Sequence, residues 1–404
     1  MPDPVVIAGS GQAGYQIAAS LRTEGYSEPI VLIGEEPHPP YQRPPLSKAF
    51  VMGKQDQARL LLRPEAYYHD HRIELLAGEK VVAIERTTRK IRLKSGRQLS
   101  YNKLVLALGA RNRRLGIPGV ELEGVCYLRT LAEAVELKQR IEHARHVVVI
   151  GGGFVGLEIA ASARALGKPV TVVEALPRLM ARAVGSTISE FVRAAHAGHG
   201  TEILLNAQVR EIRGSGGNVE EVLLHGGRVI AADLVVVGVG ILPRTELAHE
   251  AGLPVDNGIV ADEYLRTADE HVFAIGDCAR YPSAFTDSMV RLESVQNAVD
   301  QGVSVARTIA GKPAAYRAVP WFWSDQFDLR LQMAGLPDGH DRQVVRGNSE
   351  MGKFSVFHFR AGKLCSVDSI NRPADHLAAR KLLSSGTAVT PEQASDESLD
   401  LRTL

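Results

Sequence analysis

Cysteine is scarce in this sequence of 404 residues. Its three cysteines, Cys126, Cys278 and Cys365, lie far apart, and none belongs to a C-x-x-C or C-x4-C pair. This spacing excludes a redox-active dithiol motif and offers no ligand set for zinc or an iron–sulfur cluster. We therefore expect three reduced, buried and unreactive thiols, and no bound metal.

The sequence also lacks an excess of charge of either sign and a long apolar run. The 47 basic and 46 acidic residues leave a net charge of +1, which gives no support to nucleic-acid or membrane binding, although it permits local patches. No apolar run approaches the roughly 18 residues that a membrane span needs. The N-terminus leads directly into an apolar strand, so we expect no signal peptide and a cytoplasmic protein. The length suggests two to four domains.

What the sequence does contain is two glycine-rich turns. In the first, an apolar run leads into G-x-G-x-x-G at residues 9–14, and a helical pattern follows over 15–22. The first glycine permits a tight bend, the second lets backbone N–H groups approach a pyrophosphate, and the third lets the helix pack closely. The next strand, at 29–34, ends in an acid that suits ribose hydroxyls. The predicted dinucleotide contacts are Gly9, Gly11, Gln12, Ala13, Gly14 and Glu35.

The same arrangement occurs again at residues 146–174. An acid at the end of its second strand accepts both adenosine ribose hydroxyls and repels a 2′-phosphate, which favours NADH over NADPH. Arg178 and Arg182 complicate this preference, because they are near enough to flank the adenine or to reach the pyrophosphate. Two complete motifs predict two nucleotide-binding domains. The second set of predicted contacts is Gly151, Gly153, Phe154, Val155, Gly156, Glu174 and Arg182.

A proline-rich loop at residues 37–48 separates the two turns. Each proline fixes its φ angle, so the loop is stiff. It carries Arg43 and Lys48, which a stiff loop would hold at fixed positions near a cofactor. The alternative is a rigid surface crossover with solvated charges.

The string Y-Q-R-P-P-L-S-K at residues 41–48, between the two glycine turns, resembles the FAD-dependent ferredoxin reductases of bacterial oxygenase systems. The resemblance runs from Val5 to about Leu383. It implies an α/β fold of the glutathione-reductase type, with two Rossmann-like dinucleotide-binding domains and a small α+β C-terminal domain. The implied domains are a discontinuous FAD domain at 1–112 and 242–320, an NAD domain at 113–241, and a C-terminal domain at 321–404.

The resemblance also assigns roles to individual residues. Lys48 would lie beside the flavin N5 edge and pair with Glu158, which gives both residues electrostatic and positional roles in catalysis. For Glu158 the alternative is an acid that only complements the helix dipole. Ala107 and Gly109 flank a leucine where the family has threonine, so only backbone contacts would survive there. The other implied cofactor contacts are Arg43, Pro44, Val81, Arg129, Gly240, Gly276, Asp277, Glu293 and Val295.

The implied function is electron transfer from NADH through FAD to a 2Fe-2S ferredoxin, which would supply a haem-thiolate monooxygenase or a ring-hydroxylating dioxygenase. We expect a monomer or weak dimer. The proline-rich loop has no cysteine, which argues against cysteine-based NADH oxidases, peroxidases and dithiol reductases. Three alternatives remain: a rubredoxin reductase, a flavin NADH oxidase that uses oxygen directly, and a redox-switched FAD protein like apoptosis-inducing factor.

Several local patterns give further predictions. Alternating residues predict a β-meander over 81–99 and four strands between 329 and 370. Helical patterns cover 59–68, 373–383 and a segment that opens at Arg291 and runs to about Ile309. The polar tail from Ser384 is predicted to be mobile.

Overall fold

A computed structural model describes residues 2–404. Within those residues the α-helices are α1 Gln12–Thr23, α2 Glu65–Asp70, α3 Leu131–His143, α4 Phe154–Ala165, α5 Ser186–Gly198, α6 Glu246–Glu250, α7 Val295–Ile309, α8 Pro373–Ser385 and α9 Pro391–Ser395. The 3₁₀ turns are Pro44–Ser47, Ala58–Leu60, Gly276–Cys278 and Leu401–Thr403.

The strands are short, and most have two to five residues. In chain order they are β1 Val5–Ala8, β2 Ile30–Gly34, β3 Ile73–Ala77, β4 Val81–Glu85, β5 Lys90–Leu93, β6 Gln98–Ser100, β7 Lys103–Leu106, β8 Ala110–Asn112, β9 Val125–Cys126, β10 Val147–Ile150, β11 Val170–Val173, β12 Glu202–Leu204, β13 Val209–Ser215, β14 Asn218–Leu224, β15 Val229–Ala231, β16 Leu234–Val237, β17 Ile241–Pro243, β18 Ile259–Val260, β19 Val272–Ala274, β20 Ala279–Pro282, β21 Met289–Val290, β22 Trp321–Gln326, β23 Leu329–Gly335, β24 Arg342–Asn348, β25 Lys353–Arg360 and β26 Lys363–Ile370.

One compact unit comprises residues 2–42, 60–111 and 242–322. Its centre is a parallel sheet in the order β19-β7-β1-β2-β3. β1 and β2 are buried along their whole length, as expected for parallel strands that are covered on both faces. The strands β4, β5 and β6 form the predicted antiparallel meander.

The other compact unit comprises residues 43–59, 112–241 and 323–404. It contains a second parallel sheet, β12-β11-β10-β16-β9, and a small antiparallel sheet, β13-β14-β15. An antiparallel sheet with the order β22-β23-β26-β25-β24 follows. One continuous core links the parallel sheet to this last sheet and includes Val149, Leu157, Ile188, Phe354 and Ile370. Two parallel sheets and a C-terminal α+β region confirm the predicted fold class.

Two predicted helices have different limits in the structure. The prediction over 59–68 was wrong, because Pro64 adopts an extended ψ of 156° and α2 begins only after it. A proline has no N–H group to donate, so it can precede a helix but cannot continue one. The helix predicted to open at Arg291 begins at Val295, since Ser294 is its cap and accepts a hydrogen bond from the Asn297 N–H group.

The prediction of a mobile tail was also wrong. Thr390 caps α9: its hydroxyl accepts from the Gln393 N–H group, and the Gln393 side-chain oxygen accepts from the Thr390 N–H group. The buried guanidinium of Arg346 donates to the carbonyl of Leu399 at 2.7 Å and to that of Asp396. Leu401 is buried. The polar composition of the tail concealed these contacts, because their partner lies on β24, far away in the sequence.

No helix within residues 2–404 is both long enough and apolar enough to cross a membrane.

Candidate functional site

The first glycine turn, residues 9–14, joins β1 to α1. Gly9 has a φ of +115°, and a Cβ atom there would lie 2.1 Å from the Ala107 carbonyl oxygen at the end of β7. A Cβ at Gly14 would lie 1.8 Å from the carbonyl oxygen of Gly9. A Cβ at Gly11, in contrast, would meet no protein atom within 4 Å. The outer glycines therefore permit close packing, and the middle one leaves open space.

The start of α1 faces that open space. Gly11 is the cap, no side chain caps the helix, and its first turn contains no acid. The backbone N–H groups at Gln12 and Ala13 are thus available to an anion, and the helix dipole favours negative charge there. β1 lies between β2 and β7, where the strand order of the sheet reverses. Open α/β sheets bind nucleotides at this position, so a dinucleotide pyrophosphate fits.

The structure also brings Gly276 and Asp277 to the first glycine turn. Gly276 follows β19 with a φ of +75°, and its Cβ would lie 3.2 Å from the Cβ atom of Ala13. Its N–H group donates to the buried Gln301 side chain at 2.7 Å. The Asp277 carbonyl accepts from Arg291 at 3.1 Å. Sequence reasoning missed Gln301, and no motif in α7 marks it.

Glu35 lies directly after β2, as predicted, but its carboxylate already has two cationic partners. Lys80 Nζ lies 3.1 Å from one oxygen, and Arg244 Nη1 lies 2.7 Å from the other. Partial burial opposes the charged form, but hydrogen bonds and charges from Lys80 and Arg244 outweigh it and lower the pKa of Glu35. Glu35 is therefore ionised at neutral pH and oriented by these two cations.

The second glycine turn, residues 151–156, repeats this geometry between β10 and α4. Gly151 has a φ of +107°, and its Cβ would lie 2.4 Å from the Gly238 carbonyl oxygen after β16. A Cβ at Gly156 would lie 2.2 Å from the carbonyl oxygen of Gly151, whereas one at Gly153 would meet nothing within 4 Å. The start of α4 is likewise uncapped, with Phe154 and Val155 as its first residues. This turn also fits a pyrophosphate.

Glu174 is oriented by backbone groups at the end of β11. One carboxylate oxygen accepts from the Gly152 N–H group at 2.6 Å, and the other accepts from Leu176 at 2.8 Å. A Cβ at Gly152, which the prediction omitted, would lie 2.5 Å from the Leu179 side chain and 3.2 Å from a Glu174 carboxylate oxygen, so a larger residue there would have to displace the Leu179 side chain. The carboxylate thus lies beside the second glycine turn, where a ribose would follow the pyrophosphate.

The two arginines after Glu174 have different surroundings. Arg178 donates to the carbonyls of Ala181 and Val184, so it stabilises its own loop. Arg182 lies near Gly240, whose Cβ would be 3.9 Å from Arg182 Nη2. Only Arg182 is therefore placed next to another predicted contact.

A buried ion pair joins the proline-rich loop to α4. Lys48 Nζ lies 3.0 Å from Glu158 Oε1, and the side chains are 18% and 7% exposed. The 3₁₀ turn Pro44–Ser47 places Ser47 against the same carboxylate, where its hydroxyl donates at 2.5 Å. The Ser324 hydroxyl of β22 donates at 2.8 Å. Glu158 lies beyond the first turn of α4, so a helix-dipole role alone does not explain it.

Arg43 and Arg129 also meet, because Arg43 donates to the Arg129 carbonyl. The N–H group of Arg129 donates at 2.7 Å to Glu133, which forms the capping box of α3 with Thr130. The remaining predicted contacts lie on separate elements: Val81 is buried in β4, Gly109 follows β7, and Val295 begins α7. Glu293 pairs at 2.6 Å with Arg291, which also donates to the Asp277 carbonyl.

The three thiols were predicted to be buried, and Cys126 and Cys278 are, whereas Cys365 is only partly buried. The three cysteines are free, and burial raises the pKa of Cys126 to about 12 and that of Cys278 to about 11. Both thiols therefore remain protonated and unreactive at neutral pH. Within residues 2–404 no three His, Cys, Asp or Glu side chains are close enough to hold a metal ion.

Comparison with known proteins agrees with this geometry. Residues 3–302 match the family model described as pyridine nucleotide-disulphide oxidoreductase, and residues 321–404 match the one described as reductase C-terminal. The chain belongs to this oxidoreductase family. It is 51% identical to rhodocoxin reductase of Rhodococcus erythropolis over 398 aligned residues. The alignment covers 98% of this chain and 93% of that protein.

Solved structures of the family have the same fold. A ferredoxin reductase from Rhodopseudomonas palustris is 48% identical, with a TM-score of 0.97 over 100% of this chain and 99% of that chain. The reductase in the covalent putidaredoxin reductase–putidaredoxin complex is 39% identical, with a TM-score of 0.96 over 99% of this chain and 97% of that chain. These findings confirm the predicted family and the glutathione-reductase-like fold. The protein is a flavoprotein oxidoreductase of the ferredoxin reductase type, with FAD and NAD(P)H as cofactors.

Proposed function

We propose that this protein passes electrons from NADH through FAD to a 2Fe-2S ferredoxin, which supplies a haem-thiolate monooxygenase or a ring-hydroxylating dioxygenase. The observation that carries the proposal is the pair of open glycine turns together with the buried Lys48–Glu158 pair. The choice of acceptor is supported by the similarity to putidaredoxin reductase, whose structure was solved in a covalent complex with putidaredoxin.

Each glycine turn receives one dinucleotide in this proposal. The FAD domain is 1–112 with 242–320, the NAD domain is 113–241, and the C-terminal domain is 321–404. The NADH contacts are Gly151, Gly153, Phe154, Val155, Gly156, Glu174 and Arg182. The FAD contacts are Gly9, Gly11, Gln12, Ala13, Gly14, Glu35, Arg43, Pro44, Lys48, Val81, Ala107, Gly109, Arg129, Gly276, Asp277, Glu293 and Val295. Gly240 is a further cofactor contact and lies beside Arg182.

The chain contributes binding, orientation and electrostatics. Bound FAD would supply the conversion between hydride transfer, which moves two electrons, and the transfer of single electrons. Lys48 supplies a positive charge whose position is fixed by Glu158. Lys48, Ser47 and Ser324 all donate hydrogen bonds to the Glu158 carboxylate, so its orientation is fixed by three donors. No protonated thiol and no metal ion takes part in the proposed mechanism.

The nucleotide preference gives the first prediction. Replacing Glu174 by arginine should raise the KM for NADH about tenfold or more and lower that for NADPH. The carboxylate that would accept ribose hydroxyls is lost, and a cation that suits a 2′-phosphate takes its place. Steady-state kinetics with both nucleotides, under identical salt, would measure the change.

Glu190→Arg is the matched control, because Glu190 lies on the exposed surface of α5 and forms an ion pair with Arg193. It should leave both KM values within about twofold. If Glu174→Arg behaves like this control, the ribose role of Glu174 is wrong.

The acceptor is tested by anaerobic stopped-flow mixing of the purified protein with NADH, followed by a 2Fe-2S ferredoxin from the same genome. We expect bleaching of the flavin by NADH and rapid reoxidation by the ferredoxin. The second rate should fall as salt increases if complementary charges guide the encounter.

The other outcomes separate the alternatives. Rapid oxidation by rubredoxin but not by the ferredoxin would make the protein a rubredoxin reductase. Fast reoxidation by air alone would favour an NADH oxidase. Slow reaction with every acceptor, together with an NADH-dependent change of assembly, would favour a redox-switched flavoprotein.

A further inference from the structure

A chain of buried polar side chains leads from Glu158 to His196. Glu158 Oε1 accepts from Ser324 Oγ at 2.8 Å, and Ser324 Oγ accepts from Gln326 Nε2 at 3.1 Å. Gln326 Oε1 lies 2.9 Å from Nε2 of His196 on α5. Ser324 and His196 are 0% exposed, and Gln326 is 3% exposed. We call these four residues the Glu158 chain.

The direction of each hydrogen bond in the Glu158 chain follows from Glu158. An ionised carboxylate only accepts, so Ser324 must use its single proton to donate to it. The bond between Ser324 and Gln326 must then be donated by the amide Nε2 group. The amide oxygen consequently faces His196, whose Nε2 atom must carry a proton. Every bond in the Glu158 chain therefore points toward Glu158.

The surroundings of His196 fit the neutral form that is protonated at Nε2. Burial lowers the pKa of His196. Its Nδ1 atom is buried without a hydrogen-bond partner among residues 2–404, so a second proton there would be an unpaired donor. The ring packs edge-on against Phe327, with 5.0 Å between centroids. One tautomer of His196 thus satisfies the network.

We propose that His196 is a positioning residue for the Lys48–Glu158 pair and acts through Gln326 and Ser324. Its Nε2–H group fixes the orientation of the Gln326 amide. Without that donor the amide is free to rotate and present its oxygen to Ser324. Ser324 would then donate to Gln326 instead of Glu158, and the carboxylate would lose one of its three donors. The kinetic consequence rests on the function proposed above for Lys48 and Glu158.

The proposal is tested first with two variants of His196. His196→Phe removes the donor, whereas His196→Gln keeps an amide donor near the original position of Nε2. We expect His196→Phe to slow flavin reduction by NADH about tenfold and to shift the visible flavin absorption band. His196→Gln should remain within about twofold of the unchanged protein. Equal rates and spectra in all three proteins would overturn the proposal.

A double-mutant cycle separates positioning from a general effect on folding. In the Lys48→Met background, His196→Phe should have no further effect on the reduction rate, because its action requires the ion pair. If the two effects are independent and multiply, His196 acts through the fold and the proposal fails.

Histidine-ring nitrogen NMR gives a readout that does not depend on activity. The His196 signals are identified by their absence from His196→Gln, and they should show the neutral Nε2–H form at neutral pH. The Nδ1–H form would contradict the proposal. If the unchanged protein is not reduced by NADH but His196 has the expected tautomer, the proposed function fails while the network assignment stands.

Discussion

Replacing Gly11 by valine should give a folded protein that no longer retains FAD. The backbone at Gly11 has φ −72° and ψ −167°, which valine adopts readily, and a Cβ there meets no protein atom within 4 Å. The added methyl groups would instead occupy the space through which a pyrophosphate approaches the start of α1. We expect FAD affinity to fall by about 100-fold or more. The flavin-to-protein absorbance ratio and FAD titration would measure it, with circular dichroism as the test of folding.

Two companion variants complete this experiment. Gly153→Val should retain FAD but lose NADH affinity, because it changes the equivalent position of the second glycine turn. Gly116→Val is the matched control, since it also places a Cβ in open space but lies in neither turn, and it should bind both nucleotides normally. A Gly11→Val protein with a full complement of FAD would show that the first glycine turn is not the FAD site.

Replacing Glu158 by leucine should lower both stability and the rate of flavin reduction. The substitution leaves the Lys48 ammonium, 18% exposed, without its partner and removes the acceptor for the hydroxyls of Ser47 and Ser324. Loss of one partner from a buried pair costs about 3 kcal/mol or more. Urea unfolding can be followed by the combined fluorescence of Trp321 and Trp323, which lie on β22 with Ser324. Stopped-flow mixing with NADH would measure the rate.

The double variant Lys48→Met/Glu158→Leu distinguishes the two effects. It removes the unpaired charge, so it should recover much of the lost stability, but it should not recover the rate of reduction. Glu190→Gln, which breaks an exposed pair on α5, is the control and should change stability by less than about 1 kcal/mol. If the double variant is reduced by NADH at the normal rate, the Lys48–Glu158 pair has no role in catalysis.

The sequence by itself determined the two glycine turns and the parallel sheets that carry them. Each turn depends on residues within about 30 positions of one another, and the spacing of Gly9, Gly11 and Gly14 directly encodes a bend, an open backbone and a close helix contact. The acids after β2 and β11 were predictable for the same reason. The Lys48–Glu158 pair required the family resemblance, because a spacing of 110 residues carries no local signal.

Only the tertiary structure decided which side chains surround these positions. Ser324 lies 166 residues from Glu158, and Gln326 lies 130 residues from His196. Glu35 was predicted as a ribose acceptor, but only the fold revealed that Lys80 and Arg244 orient it. The C-terminal tail was wrongly predicted to be mobile, because its polar composition does not show that Arg346 donates to the carbonyls of Asp396 and Leu399. Local spacing specifies backbone geometry, whereas a buried charge obtains its partners from whichever segments the fold packs against it.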